Sequence, residues 1–269
     1  MPELPEAETI ARKLSGKISG KIISGVLINR KDILKAGKPG DFQSLNGQAV
    51  REVGRRAKCI VLFFENKKEL WVHLGMTGQL ILGQKTGLAH VHAEFSFQGI
   101  SETLFFRDIR RFGGLSLRGA GIEPLPGITA LGPEPLEISL EDFQKRLYGR
   151  KGRIKNLLLN QRFIAGIGNI YADEILFRAK IHPKKTPGKL QPGNVLNLFE
   201  AVQKVLREAI SDGGSSIDDY IHPDGQRGKF QEKHRVYAKD GKPCSSCGVQ
   251  IRRIVLNGRS ACFCPGCQK

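Results

Sequence analysis

The sequence predicts an α+β protein of several domains, in which an antiparallel β-sandwich or barrel precedes a helical domain and a small metal-binding module. Three observations predict this order. Short β-like runs separated by turn residues fill residues 20–117. Helical periodicity dominates after residue 138, and five of the six cysteines lie at or after position 244.

The N-terminus, Met-Pro-Glu-Leu-Pro-Glu, is typical of a helix start with Pro5 at the first helical position. Proline is tolerated there because the first N–H groups of a helix lack partners within it, and Glu6 suits the positive end of the helix dipole. The apolar residues that follow keep helical spacing: Ala7, Ile10, Ala11, Leu14 and Ile18. A second interpretation stays open, because removal of Met1 would leave the secondary amine of Pro2 free to form a Schiff base.

Strands of the first domain are expected at residues 21–28, 58–64, 69–74 and 90–97, where apolar residues alternate or cluster between turn residues. Prolines and glycines then concentrate in residues 119–138, which predicts an interdomain linker. The first domain is therefore expected to occupy residues 1–118.

Helices of the second domain are expected at residues 140–148, 153–160, 170–180 and 194–211. Ser139, with Asp142 three residues later, predicts the N-cap of the first of these helices. The predicted boundaries are a helical domain at 139–214, a mobile polar loop at 215–234 and a metal-binding module at 235–269.

The charge of the chain indicates a polyanionic partner. It carries 43 basic and 26 acidic residues, for a formal charge of +17, which exceeds what solubility requires. Nucleic acid is expected rather than a membrane, because no apolar run approaches the roughly 18 residues that a spanning helix needs. The N-terminus lacks the pattern of a secretory leader, so we expect a cytoplasmic protein.

Two Cys-x-x-Cys pairs near the C-terminus predict a zinc ribbon or β-hairpin finger with the ligands Cys244, Cys247, Cys264 and Cys267. Four thiolates suit one structural Zn²⁺, and a module this short needs the metal to fold. Cys262 is left over as a spare. A disulfide framework is the alternative, which an intracellular setting disfavours.

A glycine-rich turn between two expected helices, Gly166-Ile-Gly-Asn169, predicts a phosphate contact. Asn169 is expected at the N-cap of the next helix, whose free N–H groups can bind an anion. Arg150, Lys151 and Lys155 lie upstream and are expected to strengthen the contact. The alternative is an ordinary turn between helices.

Together these residues resemble the bacterial formamidopyrimidine-DNA glycosylases. The resemblance rests on the two ends of the chain and on the Gly-Asn turn, and it continues in order through Arg55-Arg-Ala-Lys58, His73-Leu-Gly-Met-Thr-Gly78 and Asp108-Ile-Arg-Arg-Phe-Gly113. It implies a β-sandwich domain with an N-terminal helix, a helix-two-turns-helix domain and a β-hairpin zinc finger, with DNA in the cleft between the domains.

The resemblance implies that Pro2, once Met1 is removed, attacks the sugar C1′ of a damaged nucleotide, displaces the base and leaves an iminium. Glu3 would transfer protons at the sugar as its ring opens, and Glu6 would orient the N-terminus. The iminium acidifies C2′, so β-elimination would cut the strand on the 3′ side of the lesion. A δ-elimination on the 5′ side would follow.

The resemblance also implies contacts to the DNA backbone. Lys58 would contact the lesion phosphates and assist β-elimination, and Arg259 would grip a phosphate and act in δ-elimination. Asn169 and Lys155 would complete the phosphate grip, and His90 would touch DNA. The His-x-His pair at residues 90–92 could instead bind a metal, but no third ligand is evident.

Three further residues match those that the family uses to extrude a base. Met76 and Arg110 would fill the void, with Arg110 facing the orphaned cytosine, and Phe112 would wedge a base step. The alternative is that Met76 and Phe112 belong to the hydrophobic core.

Two departures from the family pattern bear on recognition. Ile109 stands where proline is common, which is expected to loosen that turn. The loop that closes on an extruded 8-oxoguanine matches Ser215, Ile217, Asp218, Asp219 and Tyr220. In this loop Asp218 is acidic where a basic residue is common.

The leading hypothesis is a bifunctional DNA glycosylase and abasic-site lyase for oxidised purines. It is expected to act as a monomer on damaged double-stranded DNA, with one structural zinc and no nucleotide cofactor. Leu4 favours this branch over the endonuclease VIII branch, where glycine is usual. The alternatives are an endonuclease VIII-like enzyme for oxidised pyrimidines and a non-catalytic, zinc-stabilised DNA-binding protein.

Overall fold

The chain divides into two units in the computed structural model, which describes residues 2–84, 87–120, 129–217 and 220–269. The first unit comprises Met1–Ala130 with Asp212–Gln231, and the second comprises Leu131–Ser211 with Glu232–Lys269. Of the linker expected at 119–138, residues 131–138 thus fall in the second unit and residues 121–128 lie outside the described residues. The loop expected at 215–234 is divided between the units after residue 231.

The described part of the first unit is built from two helices and nine strands. In chain order they are α1 (Leu4–Ile18), β1 (Ile23–Ile28), β2 (Leu34–Ala36), α2 (Pro39–Gln43), β3 (Val50–Arg56), β4 (Cys59–Phe64), β5 (Glu69–His73), β6 (Gly78–Gly83), β7 (Val91–Phe97), β8 (Thr103–Asp108) and β9 (Gly114–Arg118).

These strands form two sheets that share one hydrophobic core. The first sheet has the order β1-β7-β8-β6 and the second the order β2-β9-β5-β4-β3. Phe95 and Phe106 of the first sheet, Leu62 and Leu70 of the second, and Ile10 of α1 belong to the same buried cluster. The expected sandwich is confirmed, with one difference: the short edge strand β2 runs parallel to β9, whereas the other strand pairs are antiparallel.

The strand register brings two connections to one edge of the sandwich. His73 at the end of β5 pairs with Gly114 at the start of β9, and Gly78 at the start of β6 pairs with Asp108 at the end of β8. The β5–β6 and β8–β9 connections therefore lie side by side. Both cross from one sheet to the other.

The second unit is helical and ends in a β-hairpin. Its described elements are α3 (Leu140–Leu147), α4 (Ile154–Leu158), α5 (Asn169–Arg178), a 3₁₀ helix (Pro187–Lys189), α6 (Pro192–Ser211), β10 (Arg252–Leu256) and β11 (Arg259–Phe263). A second 3₁₀ helix, Phe230–Lys233, lies where the chain passes from the first unit into the second. Among the described helices, none combines the length and the apolar character of a membrane span.

Two helices begin one residue away from the position expected. Helix α1 begins at Leu4 with Glu3 as its N-cap, so Pro5 is the second helical residue rather than the first. Both positions lie in the first turn, where a missing N–H costs nothing. Helix α5 has Gly168 as its N-cap and Asn169 as its first residue, and the Asn169 side chain donates instead to Ser260 Oγ at 3.3 Å.

The N-cap expected at Ser139 is confirmed, because its Oγ accepts the Asp142 N–H at 3.1 Å. We predict that Ser139→Ala lowers the free energy of unfolding by about 1 kcal/mol, since it leaves that N–H without its protein partner. Urea unfolding followed by circular dichroism measures the effect. Ser139→Asp should restore the stability, and an equal loss in Ser139→Asp would contradict the capping role.

Candidate functional site

The N-terminal residues are buried and fixed by a capping box. Glu3 and Glu6 are each 1% exposed, and the Glu6 carboxylate accepts the Glu3 N–H at 2.8 Å through Oε2. Pro2, which directly precedes the N-cap, is also buried. The residue that becomes the N-terminus when Met1 is removed is thus held at the head of an ordered helix.

The second oxygen of Glu6 binds the segment 212–231. Glu6 Oε1 accepts the Ser215 N–H at 2.7 Å, and the Tyr220 hydroxyl donates to the Glu6 carbonyl at 3.3 Å. Gly214 makes this approach possible, because its φ is +78° and a Cβ there would lie 2.7 Å from Glu6 Oε1. One carboxylate therefore joins the N-terminus to a segment about 210 positions later in the chain.

The segment expected to be a mobile loop makes several buried contacts in its described part. Tyr220 is 6% exposed and packs into the core of the first unit. His222 and Phe230 are also buried, and the Gly228 N–H donates to Ser216 Oγ at 2.8 Å. Apolar and aromatic side chains were scattered too thinly along the segment for a periodic pattern to reveal the anchor. Of the predicted recognition residues, Ser215, Ile217 and Tyr220 are described here, and Asp218 and Asp219 lie outside the described residues.

The residues predicted to invade DNA protrude from the two adjacent connections of the sandwich. Met76 is 45% exposed and Phe112 is 54% exposed, which contradicts the alternative that they are core residues. Arg110 is exposed too, and its Cζ lies 4.6 Å from the centre of the Phe112 ring. The turn that carries Ile109 is held by Asp108, whose carboxylate accepts the Arg110 N–H at 3.2 Å and the Gly113 N–H at 2.8 Å.

The remaining predicted residues of the first unit have different environments. Lys58 is partly exposed in the turn between β3 and β4, directly after Ala57, whose φ is +54°. His90 is exposed with a φ of +63°. His92 is buried, and its Nε2 lies 2.7 Å from the Asp108 carbonyl oxygen. His92 therefore supports the turn after β8, and only His90 of the pair faces solvent.

The four predicted zinc ligands come together in the second unit. The Sγ atoms of Cys244, Cys247, Cys264 and Cys267 all lie within 4.8 Å of one another. Two of the separations are 3.9 and 3.4 Å, and a tetrahedral Zn²⁺ with bonds of about 2.3 Å places its thiolates about 3.8 Å apart. The donor set therefore fits one structural Zn²⁺. Cys262 is buried outside this set, as its role as a spare requires.

Arg259 is presented by the hairpin of the metal module. Asn257 and Gly258 have φ values of +48° and +75°, the two left-handed residues that a tight type I′ hairpin turn requires. Arg259 directly follows this turn as the first residue of β11 and is exposed. Its position thus depends on the hairpin that the four cysteines close.

Lys155 does not suit the phosphate contact predicted for it. Its side chain is fully buried, its Nζ lies 2.6 Å from Asp173 Oδ1, and it also donates to the Ser260 carbonyl. Asp173 Oδ2 accepts the Cys262 N–H at 3.0 Å, so the pair ties α4 and α5 to β11. Burial raises the pKa of Asp173 to about 6, against the opposing effect of the Lys155 ammonium. Arg150 and Lys151, by contrast, are exposed.

Sequence reasoning missed three buried carboxylates that organise these sites, namely Asp108, Asp173 and Glu174. Glu174 accepts three consecutive backbone N–H groups, from Arg235, Val236 and Tyr237, at 2.8, 3.0 and 2.8 Å. These bonds fix the chain where it enters the metal module. The only signal in the sequence was an acidic residue inside a largely apolar helix pattern, as at Asp173 and Glu174, or at the head of a glycine-ended turn, as at Asp108.

Three family models match successive parts of the chain. They are the formamidopyrimidine-DNA glycosylase N-terminal domain over residues 1–115, the formamidopyrimidine-DNA glycosylase H2TH domain over residues 131–220, and the zinc finger found in FPG and IleRS over residues 241–269. The third match contains all four clustered cysteines.

Full-length relatives agree with these matches. The chain is 46% identical over 272 residues to the formamidopyrimidine-DNA glycosylase of Solibacter usitatus, with 100% of both chains covered. It is 42% identical over 280 residues to that of Heliobacterium modesticaldum, again with 100% of both covered.

Solved structures show the same fold. A complex between a Lactococcus lactis FPG mutant and a Fapy-dG containing DNA superposes with a TM-score of 0.91 at 33% identity, covering 100% of each chain. The MutM (FPG) protein of Thermus thermophilus superposes with a TM-score of 0.89 at 38% identity, covering 99% of this chain and 98% of that one.

The buried pair of Lys155 and Asp173 gives a testable prediction. Lys155→Met leaves a buried carboxylate without its cation, so the free energy of unfolding should fall by about 3–5 kcal/mol. The double variant Lys155→Met/Asp173→Asn removes both charges and keeps an oxygen acceptor for the Cys262 N–H, so it should recover most of that loss. Thermal and urea unfolding measure both.

Lys151→Met is the matched control, because Lys151 is exposed and its loss should change stability by less than about 0.5 kcal/mol. A single variant at Lys155 that is as stable as Lys151→Met would show that the buried pair is not formed.

Proposed function

The chain belongs to the formamidopyrimidine-DNA glycosylase family, and from this membership we propose that it is a bifunctional DNA glycosylase and abasic-site lyase that removes oxidised purines in base excision repair. Full-length relatives at 46 and 42% identity carry the glycosylase name, and a Lactococcus lactis relative was solved with Fapy-dG containing DNA. The lyase activity is typical of the family.

The observation that carries the proposal is the way Pro2 is presented. Its nitrogen becomes a secondary amine when Met1 is removed, and it stands at the head of α1 beside two buried carboxylates, Glu3 and Glu6. The amine attacks C1′ of the damaged nucleotide, the bond from C1′ to the base breaks, and the base leaves with the electron pair of that bond. The nitrogen loses its proton, and its lone pair then breaks the bond between C1′ and the ring oxygen O4′. The oxygen takes up a proton as the sugar ring opens, which leaves a cationic iminium between Pro2 and C1′.

The two carboxylates have separate roles in this proposal. Glu3 is the acid–base group at the sugar, because it directly follows the nucleophile and is buried with it. Both oxygens of Glu6 accept backbone N–H groups, so Glu6 is a positioning residue and stabilises the developing cation by its charge.

Strand cleavage follows from the iminium. In β-elimination, C2′ loses a proton and the phosphate on C3′ leaves with the electron pair of its C–O bond. In δ-elimination, C4′ loses a proton and the phosphate on C5′ leaves in the same way. Lys58 contacts the phosphates and assists the first step. Its partly exposed position in the turn, directly after Ala57, supports this role.

The second unit contributes phosphate contacts through the zinc hairpin and helix α5. Arg259 is exposed at the hairpin turn, and Asn169 lies in the first turn of α5 with its Nδ2 bonded to Ser260 Oγ. Zinc holds the hairpin and takes no part in the chemistry, because four thiolates leave no open coordination position.

Base extrusion is assigned to Met76, Arg110 and Phe112. Their exposure on two adjacent loops supports this assignment, since apolar wedges unstack base pairs and a guanidinium can bond to a base edge. Ser215 and Tyr220, joined to Glu6, support a lesion-recognition role for segment 212–231.

The substrate is damaged double-stranded DNA, and the enzyme works as a monomer at the chromosome. The nucleophile, the acid–base group and the phosphate ligands named above all come from one chain. The electron sink is the iminium itself, so the reaction requires no nucleotide cofactor.

We predict that borohydride traps the mature protein on abasic-site DNA as a covalent adduct, because it reduces the iminium to a stable amine. Adduct on a denaturing gel is the measurement. Pro2→Gly combined with an N-terminal extension should abolish it, since the chain then has no free terminal amine at this site.

The control is a chain with native Pro2 and a C-terminal extension of equal length, which should trap fully. An undiminished adduct in the blocked variant would overturn the Schiff-base mechanism. Excision of thymine glycol in preference to 8-oxoguanine by the unmodified enzyme would overturn the assignment to oxidised purines.

Phosphate contacts are tested by the salt dependence of binding to a duplex with a stable abasic-site analogue. Each lost contact reduces the slope of log K against log salt by about 0.9. Arg259→Ala should do so, and removal of zinc by a chelator should do the same. The double variant Lys155→Met/Asp173→Asn should keep the full slope, because Lys155 is buried. A reduced slope in that double variant would restore Lys155 as a phosphate ligand.

A further inference from the structure

We propose that Asp108 and Thr77 are positioning residues that lock the Met76 connection to the Arg110–Phe112 connection, and that this lock sets how strongly the enzyme discriminates the base opposite the lesion. The inference rests on the proposed function, in which Arg110 faces that base.

The Asp108 carboxylate is the centre of the lock. Asp108 is fully buried, and three donors from both connections converge on its two oxygens. Oδ1 accepts the Thr77 hydroxyl at 2.5 Å and the Arg110 N–H at 3.2 Å, and Oδ2 accepts the Gly113 N–H at 2.8 Å. A buried carboxylate with charge-assisted bonds of this kind holds its donors tightly.

Thr77 bridges the two connections through a single hydroxyl. Its Oγ1 donates to Asp108 and accepts the Arg110 N–H at 3.1 Å. The residue after Met76 therefore holds the backbone of Arg110 directly. Thr77 is itself 8% exposed, so water does not readily replace these bonds.

Strand β7 also holds Asp108 in place. The Asp108 carbonyl lies 2.7 Å from Nε2 of the buried His92 on β7. Because a carbonyl oxygen only accepts, Nε2 is the protonated nitrogen and His92 donates. Both ends of Asp108, its carboxylate and its carbonyl, are thus held by neighbouring elements.

Backbone packing prevents the two connections from shifting independently. A Cβ on Gly75 would lie 2.5 Å from the Gly113 nitrogen, and a Cβ on Gly113 would lie 2.6 Å from the His73 carbonyl oxygen. At these glycines the backbones of the two connections are in direct contact. A displacement of one must displace the other.

The exposed side chains therefore project from a backbone that is held in place. Arg110 stacks on Phe112 at 4.6 Å, and its N–H is shared between Thr77 and Asp108. A fixed guanidinium matches one arrangement of acceptors on a base edge, whereas a loose one adapts to several. By holding Arg110 in place, the lock makes its guanidinium selective for the base opposite the lesion.

The test compares Thr77→Val, which keeps the shape of the side chain and removes the hydroxyl, with Thr77→Ser, which keeps the hydroxyl. Thr103→Val is the matched control, because Thr103 is a part-buried threonine at the far end of β8 whose Oγ1 lies 3.4 Å from Ser96 Oγ. Single-turnover excision of 8-oxoguanine is measured opposite cytosine and opposite adenine. Cleavage of single-stranded abasic DNA, which has no opposite base, reports the chemistry alone.

Thr77→Val should lower the cytosine-over-adenine ratio by about tenfold, on the order of one hydrogen-bonded base contact, with single-stranded cleavage unchanged. Thr77→Ser and Thr103→Val should keep the ratio. An unchanged ratio in Thr77→Val, or a parallel fall in single-stranded cleavage, would overturn the inference.

A second measurement separates this inference from the proposed function. Binding to a duplex with an abasic analogue opposite cytosine or adenine needs no chemistry, and Thr77→Val should lower that affinity ratio in the same way. If the native enzyme excises no base, the proposed function fails, and the binding ratio still decides whether the lock exists.

Discussion

The Glu6 carboxylate is the interaction on which the rest of the site depends. One oxygen holds the N-cap of α1, and with it Pro2, and the other holds the Ser215 N–H of segment 212–231. The same carboxylate thus caps the helix and makes a long-range contact. The helix start that carries the proposed nucleophile and the segment assigned to lesion recognition are therefore held by the same side chain, through two charge-assisted hydrogen bonds.

Buried carboxylates recur as the organising device of this protein. Asp108 joins the two connections that carry the side chains assigned to base extrusion, Asp173 pairs with Lys155 beside the metal hairpin, and Glu174 accepts three N–H groups where the chain enters the metal module. Each fixes a segment beside a proposed site residue or beside the metal module, and none of the three is itself a proposed site residue. Exposed cations and apolar wedges are placed by such buried anions, and this arrangement suits an enzyme whose surface must face a polyanion.

The sequence predicts features that depend on neighbouring residues, but it does not predict contacts between residues far apart in the chain. The four cysteines, the Ser139 cap and the sandwich followed from spacing and alternation, because each depends on residues close together in the chain. The basic run around Lys155 predicts a phosphate ligand, yet Lys155 is buried against Asp173 and against the Ser260 carbonyl, 105 positions away. The bond from the Ser215 N–H to Glu6 and the burial of Tyr220 could not be predicted either, since no local pattern encodes a contact across some 210 positions.

The return of residues 212–231 to the first unit makes that unit discontinuous in the chain. During synthesis the N-terminal sandwich leaves the ribosome first, but Tyr220 of its core and the Ser215 partner of Glu6 are translated only after the helices α3 to α6. The N-terminus therefore lacks its Ser215 and Tyr220 contacts until most of the polypeptide has been synthesised. Assembly of the N-terminal site is therefore completed late in synthesis, after the helices of the second unit have been made.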